Sequence, residues 1–161
     1  MRGYLFLIFL PLWMQCDHPL KGPDSSDRNQ IIVSANKALQ DYYDDIRANG
    51  MLSEFNWLDS SSDFFWVPPG YGGPVNFDSV SKVIRRNAKA VKKIDERWEE
   101  LKVYPLTSEY VTYTGRISST VTDSTGKTVT DRFLETGILV KRDNGWKILS
   151  GQTDLLAGRH P

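Results

Sequence analysis

Residues 103–155, VYPLTSEYVTYTGRISSTVTDSTGKTVTDRFLETGILVKRDNGWKILSGQTDL, decide the fold of this chain. Aromatic and β-branched residues alternate there with polar ones at the period of two that a half-buried strand requires. Three turn clusters cut the stretch. Asp143-Asn144-Gly145 predicts a three-residue hairpin loop with Gly in the left-handed position, pairing Arg142 with Trp146. That register sets Val140 opposite Ile148, Ile138 opposite Ser150, Thr136 opposite Gln152 and Leu134 opposite Asp154. The loop at 123–126 pairs Thr122 with Lys127, so Val111, Tyr113, Gly115 and Ile117 share a face with Arg132, Leu134, Thr136 and Ile138. A turn at 107–109 pairs Leu106 with Tyr110 and adds Leu101 and Val103 to it. The opposite face carries Glu100, Lys102, Thr112, Thr114, Arg116, Ser118, Glu135 and Lys147, polar enough to meet water or a partner.

Upstream the period changes. Asp27 and Gln30 read as a capping-box variant that opens a helix. Its apolar face is Ile32, Ala35, Leu39, Tyr42 or Tyr43, and Ile46, and Asn49-Gly50 stops it. A short second helix is expected over 51–58. Residues 64–67, FFWV, predict a strand, and the PPGYGGP that follows predicts turns. A third helix starts at Asn76 or Asp78, places Val80, Val83, Ile84, Asn87, Val91 and Ile94 on one face, and runs to about Asp95. The fold class is therefore α+β: a curved, mostly antiparallel sheet wrapped around N-terminal helices in the order α-α-β-α-β-β-β-β.

Composition bounds the function. The chain has 161 residues, with 20 Lys and Arg against 20 Asp and Glu, and this neutrality argues against nucleic acid as the main partner. Its one Cys, Cys16, and two His, His18 and His160, leave no material in the domain for a zinc site, a Ser-His-Asp triad or a Cys-His dyad. No cofactor and no metal are expected. Lys82, Arg85, Arg86, Lys89, Lys92 and Lys93 form a basic stripe on the third helix that would touch anionic lipid headgroups, which are near if Cys16 is acylated. Asp95, Glu96, Glu99 and Glu100 follow at once, so the stripe reads as a neutralised, solvated face. Gly70-Tyr71-Gly72-Gly73 lacks the Lys-Ser/Thr of a phosphate loop and reads as a turn carrying Tyr71 as a flap.

The start of the chain is different in kind. Residues 4–14, YLFLIFLPLWM, are uncharged and apolar behind Arg2, too short to span a bilayer as a helix and suited to a secretory signal. Gln15-Cys16 and a polar, Pro-containing stretch complete a layout that resembles a bacterial lipoprotein signal. The resemblance implies a signal peptide at 1–15, a lipidated Cys16 on a flexible tether at 16–27, and a domain held to the cell envelope by its lipid anchor, in the inner or outer membrane. An ordinary cleaved signal would instead leave a secreted or periplasmic domain.

The element order, VYPLTSEYVTYTGR at 103–116, Val140 to Asn144 and Gly145-Trp146-Lys147-Ile148 together resemble the SnoaL-like branch of the nuclear transport factor 2-like superfamily, over roughly residues 28–155, with 156–161 as a tail. The resemblance implies a conical pocket between sheet and helices, and says little about reaction, since the superfamily holds cyclases, isomerases, dehydratases and pure binding proteins. With the register above, Tyr113, Thr136, Gln152 and Asp154 face that pocket, joined by Tyr42 or Tyr43 and by Trp66. The same row would equally serve as a satisfied hydrogen-bond ladder in a filled core. Isomerase-type relatives use a carboxylate after the first strand and another on a later strand; here those places hold Val67-Pro68-Pro69 and Ile138. A last-strand His is replaced by Gln152, which cannot exchange a proton at neutral pH. Asp154 is then the one acid expected on the pocket face. The expected function is an envelope-anchored domain that binds a small, partly apolar or carbonyl-containing molecule, without established catalysis. The alternatives are a cyclase, isomerase or dehydratase using Asp154 as acid–base, and a module that forms a homodimer through the open sheet face.

Overall fold

The structure is a computed structural model that describes residues 23–156; the expected signal peptide, Cys16 and the end of the tail lie outside the described residues. Helix α1 spans Ser25–Asn49 and buries Ile31, Ala35, Leu39, Tyr42, Tyr43 and Ile46, one stripe at three- and four-residue steps. Its N-cap is Asp24 rather than Asp27, with no side-chain capping bond. Ile31 replaces the expected Ile32 at the start of the stripe because the helix packs four residues before Ala35, not three. The expected second helix is a single 3-10 element, Met51–Asn56. Strand β1 is Phe65–Val67. Helix α2 spans Phe77–Ala90, and Asn76 caps it by accepting the Ser79 N–H at 3.0 Å.

Helix α2 ends five residues before the expected Asp95. Val91 already enters β2, Val91–Pro105, which pairs antiparallel with β3, Tyr110–Asp123. Apolar Val91 and Ile94 suit a helix face, but in β2 they still line the cavity, and the ladder Ile94↔Val121, Glu96↔Ser119 and Trp98↔Ile117 takes up their backbone groups. β4, Thr128–Arg142, and β5, Gly145–Leu155, complete the meander, and β1 joins the far edge parallel to β5, giving the order β1-β5-β4-β3-β2. Among the described residues no helix is long and apolar enough to cross a membrane.

The β3–β4 register differs from the expected one by a single residue. Thr122 faces Thr128, so Ile117 faces Phe133, Gly115 faces Glu135, Tyr113 faces Gly137 and Val111 faces Leu139. The cause is the Asp123 side chain. Its Oδ1 accepts the backbone N–H groups of Thr125 at 2.8 Å and Lys127 at 3.0 Å, which draws Lys127 into the loop and leaves Gly126 at φ 90°. Because side chains alternate, this one-residue difference turns the whole inner face of β4 over: Phe133, Glu135, Gly137 and Leu139 replace Arg132, Leu134, Thr136 and Ile138.

The last hairpin also closes differently. Arg142 pairs with Gly145 and Leu139 with Ile148, so the loop is two residues, not three. A bulge at Leu149 then restores the expected pairs Ile138↔Ser150, Thr136↔Gln152 and Leu134↔Asp154. These pairs are right, but they sit on the outer face.

Three strand glycines, Gly115, Gly137 and Gly151, make room for the rings of Trp98, Tyr113 and Trp66. A Cβ on Gly137 would lie 2.5 Å from the Ser150 carbonyl oxygen and 2.7 Å from the Tyr113 hydroxyl. Gly137→Ala should therefore destabilise the fold by about 2 kcal/mol through overpacking. Gly73→Ala, at a site with open space around it, should shift the urea midpoint little. Equal midpoints for the two variants would contradict this packing.

Candidate functional site

The sheet curls over α1 and α2 and leaves a cavity of about 450 Å³ between them. Its walls are apolar and aromatic: Tyr42 and Tyr43 from α1, Leu58 and Phe64 from the segment before β1, Trp66 from β1, Val80 and Ile84 from α2, Phe133 from β4. Three carboxylic acids break this surface: Glu54 from the 3-10 element, Glu96 from β2 and Glu135 from β4. No Lys, Arg or His lines it among the described residues. A small, mostly apolar cavity with a few polar groups is the usual form of a small-molecule site.

Glu135 is the centre of the arrangement, 4% exposed. Oε2 accepts the Tyr43 hydroxyl at 2.9 Å, and Oε1 accepts the Tyr113 hydroxyl at 3.0 Å. Each contact has a local cause. Tyr43 lies on the buried stripe of α1. Tyr113 sits opposite Gly137, and the missing side chain lets its ring lie across β4 and reach Glu135 on the same face. Glu135 in turn faces Gly115, which Trp98 covers. The Trp98 ring stands edge-on to Tyr43 and Tyr113, centroids 5.1 and 6.0 Å away, and its indole N–H donates to the Leu39 carbonyl at 2.9 Å. Three aromatic rings thus fix one carboxyl group.

Burial pushes the Glu135 carboxyl up to about 7; the two tyrosine hydrogen bonds hold it down in part, and the charge of Glu96 raises it. Glu54 rises to about 8, first through desolvation and then through repulsion from Glu96 and Glu135, against one long bond of 3.5 Å from Tyr42. Glu96 is raised as well by burial, offset by the Ser119 hydroxyl at 2.8 Å. Tyr42, Tyr43 and Tyr113 are raised by burial and neighbouring carboxylates, so they stay phenols and donate. The three acids titrate as a coupled set in which full ionisation is strongly opposed. Among the described residues no group of acids, His or Cys is placed to hold a metal ion.

The expected site residues divide. Tyr42, Tyr43 and Trp66 line the cavity, and Tyr113 reaches its central acid. Thr136, Gln152 and Asp154 lie on the other side of the sheet, carried there by the β3–β4 register. The Thr136 hydroxyl donates to the Tyr113 carbonyl at 3.0 Å, while Gln152 and Asp154 are exposed and meet each other at 3.5 Å. Asp154 is therefore no acid of this pocket. Glu135, which the expected register put outside, takes its place, and Thr153 lines the cavity beside it. Glu54 and Glu96 had no signature as cavity residues, since one sits on a weakly patterned turn and the other follows an apparent helix. Gly115 and Gly137 inside strands were the available signal that something approaches closely there.

Native Glu135 and Glu54 hold their protons more tightly than the same groups at about 4.3 in the unfolded chain, so the native state binds more protons between those values and about 7 to 8. Stability must fall as pH rises through that window. In Glu135→Gln the urea-measured fall between pH 5 and pH 8 should shrink by about 3 kcal/mol. A slope equal to that of the parent chain would show that Glu135 is not the buried acid described above.

No protein-family model matches the sequence, and no curated protein matches it. Solved structures do. A candidate dehydratase of the nuclear transport factor 2-like family from Streptomyces avermitilis superposes with TM-score 0.67 at 14% identity, over 81% of this chain and 99% of that one. A nuclear transport factor 2-like superfamily protein from Salmonella enterica serovar Typhimurium gives 0.64 at 13%, over 85% and 96%. A ketosteroid isomerase-like protein from Erwinia carotovora atroseptica gives 0.63 at 16%, over 81% and 99%. At these identities the likeness is one of fold.

Proposed function

We propose that this chain, whose fold is nuclear transport factor 2-like, binds a small, partly apolar carbonyl compound in its cone and that Glu135 moves a proton on it. The observation that carries the proposal is a carboxyl raised to about 7 at the wall of a 450 Å³ cavity, gripped by two phenols and facing no cation among the described residues. An acid in that range is ionised often enough at neutral pH to accept a proton and basic enough to pull one. Solved structures of this fold include proteins described as dehydratase and ketosteroid isomerase-like, which supports proton-transfer chemistry as the class.

The division of labour follows from the two raised values. Ionised Glu135 takes a proton from the carbon next to the carbonyl; the C–H electron pair becomes the enolate double bond, and the carbonyl oxygen takes the charge. Glu54, raised to about 8, is still protonated near neutrality and donates a hydrogen bond to that oxygen. Protonated Glu135 then returns its proton to the same carbon or to another, or gives it to a leaving group that departs from the β-carbon with its bonding electron pair. The apolar walls exclude water from the enolate.

Deuterium uptake from heavy water into 2-tetralone, an enolisable aromatic ketone, tests this by NMR. The chain should accelerate exchange, with a bell-shaped profile that rises as Glu135 ionises near pH 7 and falls as Glu54 ionises near pH 8. Glu135→Gln should cost about a hundredfold or more. Exchange that persists undiminished in that variant would remove Glu135 from the chemistry.

A further inference from the structure

Of the acids that follow the basic stripe in sequence, Asp95 feels the charge of Lys93, and the rest of the stripe is not neutralised by them in space. Glu96 faces the cavity. Asp95 pairs with Arg97 and Arg47, Glu99 with Arg132, and Glu100 with Lys102 and Arg116. All six cations, Lys82, Arg85, Arg86, Lys89, Lys92 and Lys93, are exposed, and none has a salt-bridge partner among the described residues. The first four recur at three- and four-residue steps on α2, opposite the Val80 and Ile84 that the helix buries. The last two continue the patch at the start of β2, where a bulge between Val91 and Lys93 interrupts the alternation of the strand. Arg85 lies over the Phe55 ring at 4.6 Å, which fixes its position and leaves its charge unmatched. Asp78, a turn earlier, is the one acid on the helix.

This patch ends at the mouth of the cone. Pro69 and Ala90 both line the cavity and are both exposed, so the opening lies between the loop after β1 and the C-terminal end of α2, beside Lys89 and Lys92. The same loop presents Tyr71, 46% exposed.

We infer that the outer face of α2 and the first residues of β2 form a docking surface for an anionic lipid bilayer, with the cavity mouth turned toward the lipid. A convex stripe of cations beside an exposed tyrosine matches a charged, planar headgroup layer. A chain with 20 acidic residues against 20 basic ones offers a planar partner one cationic face and gives a polyanion that wraps around it no net attraction. Docked in this way, the cone receives apolar molecules from the bilayer rather than from water.

Co-sedimentation of the full chain with vesicles tests the inference. Vesicles of phosphatidylcholine with about 30 mol% phosphatidylglycerol should bind at least tenfold more tightly than phosphatidylcholine alone, and the difference should vanish as NaCl rises from roughly 0.05 to 0.5 M. Lys82→Glu, Arg86→Glu and Lys89→Glu together should abolish the difference, while Lys37→Glu, Lys102→Glu and Lys141→Glu together should preserve it. Circular dichroism of both triples confirms that they fold. Any binding through the start of the chain is common to both triples and cancels in their comparison. Equal binding to the two lipids, equal losses in the two triples, or tighter stripe-dependent binding to polyuridylate RNA than to the anionic vesicles would each overturn it.

Discussion

One buried carboxyl group organises this molecule. Glu135 lies on the inner face of the sheet with no cation beside it among the described residues, so its burial is tolerable because Tyr43 and Tyr113 each give it a hydrogen bond and because it can keep a proton. That arrangement ties the first helix to the sheet through a side-chain contact across 92 positions of sequence. It also demands small residues where large ones would pack better. Gly115 opposite Glu135 and Gly137 beneath Tyr113 are strand positions where a β-branched residue would suit the ladder and destroy the site. The fold accepts weaker strands there in exchange for a polar group deep in the cone.

The architecture was legible from hydrophobic period and turn chemistry: two helices, a short strand, and a meander with its β2–β3 register correct from Glu100 to Pro105. The site was not, and the reason is one residue wide. In DRFLETGILV, residues 131–140, both alternating sets contain apolar members, so burial pattern alone does not choose which of Leu134 and Glu135 faces in. The choice rests on a five-residue loop in which Asp123 captures the Lys127 N–H, a side-chain contact that turn statistics do not announce. The Leu149 bulge hid the difference further, because it kept the outer pairs Thr136↔Gln152 and Leu134↔Asp154 intact while the face they occupy changed. Helix α2 was overestimated for a related reason: Val91 and Ile94 fit the helical stripe of Val80, Val83 and Ile84 as well as they fit β2.

Charge is sorted by location. A neutral sequence hides a cone with acids inside and cations around its mouth. The interior acids raise one another's proton affinity, while the cations of α2 are exposed and have no salt-bridge partner among the described residues. The acids that seem to cancel the stripe in sequence are drawn away by strand geometry, since successive residues of β2 point to opposite faces and meet different partners. Local charge counting fails wherever a helix hands over to a strand.

The most direct measurement of this account is the titration of Glu135 itself, followed by its side-chain carboxyl carbon in selectively labelled protein. Glu135 should titrate with a midpoint near 7, moved upward in both Tyr43→Phe and Tyr113→Phe because each removes a hydrogen bond that favours the ionised form. A midpoint in the ordinary carboxylate range near 4, indifferent to both tyrosines, would contradict it.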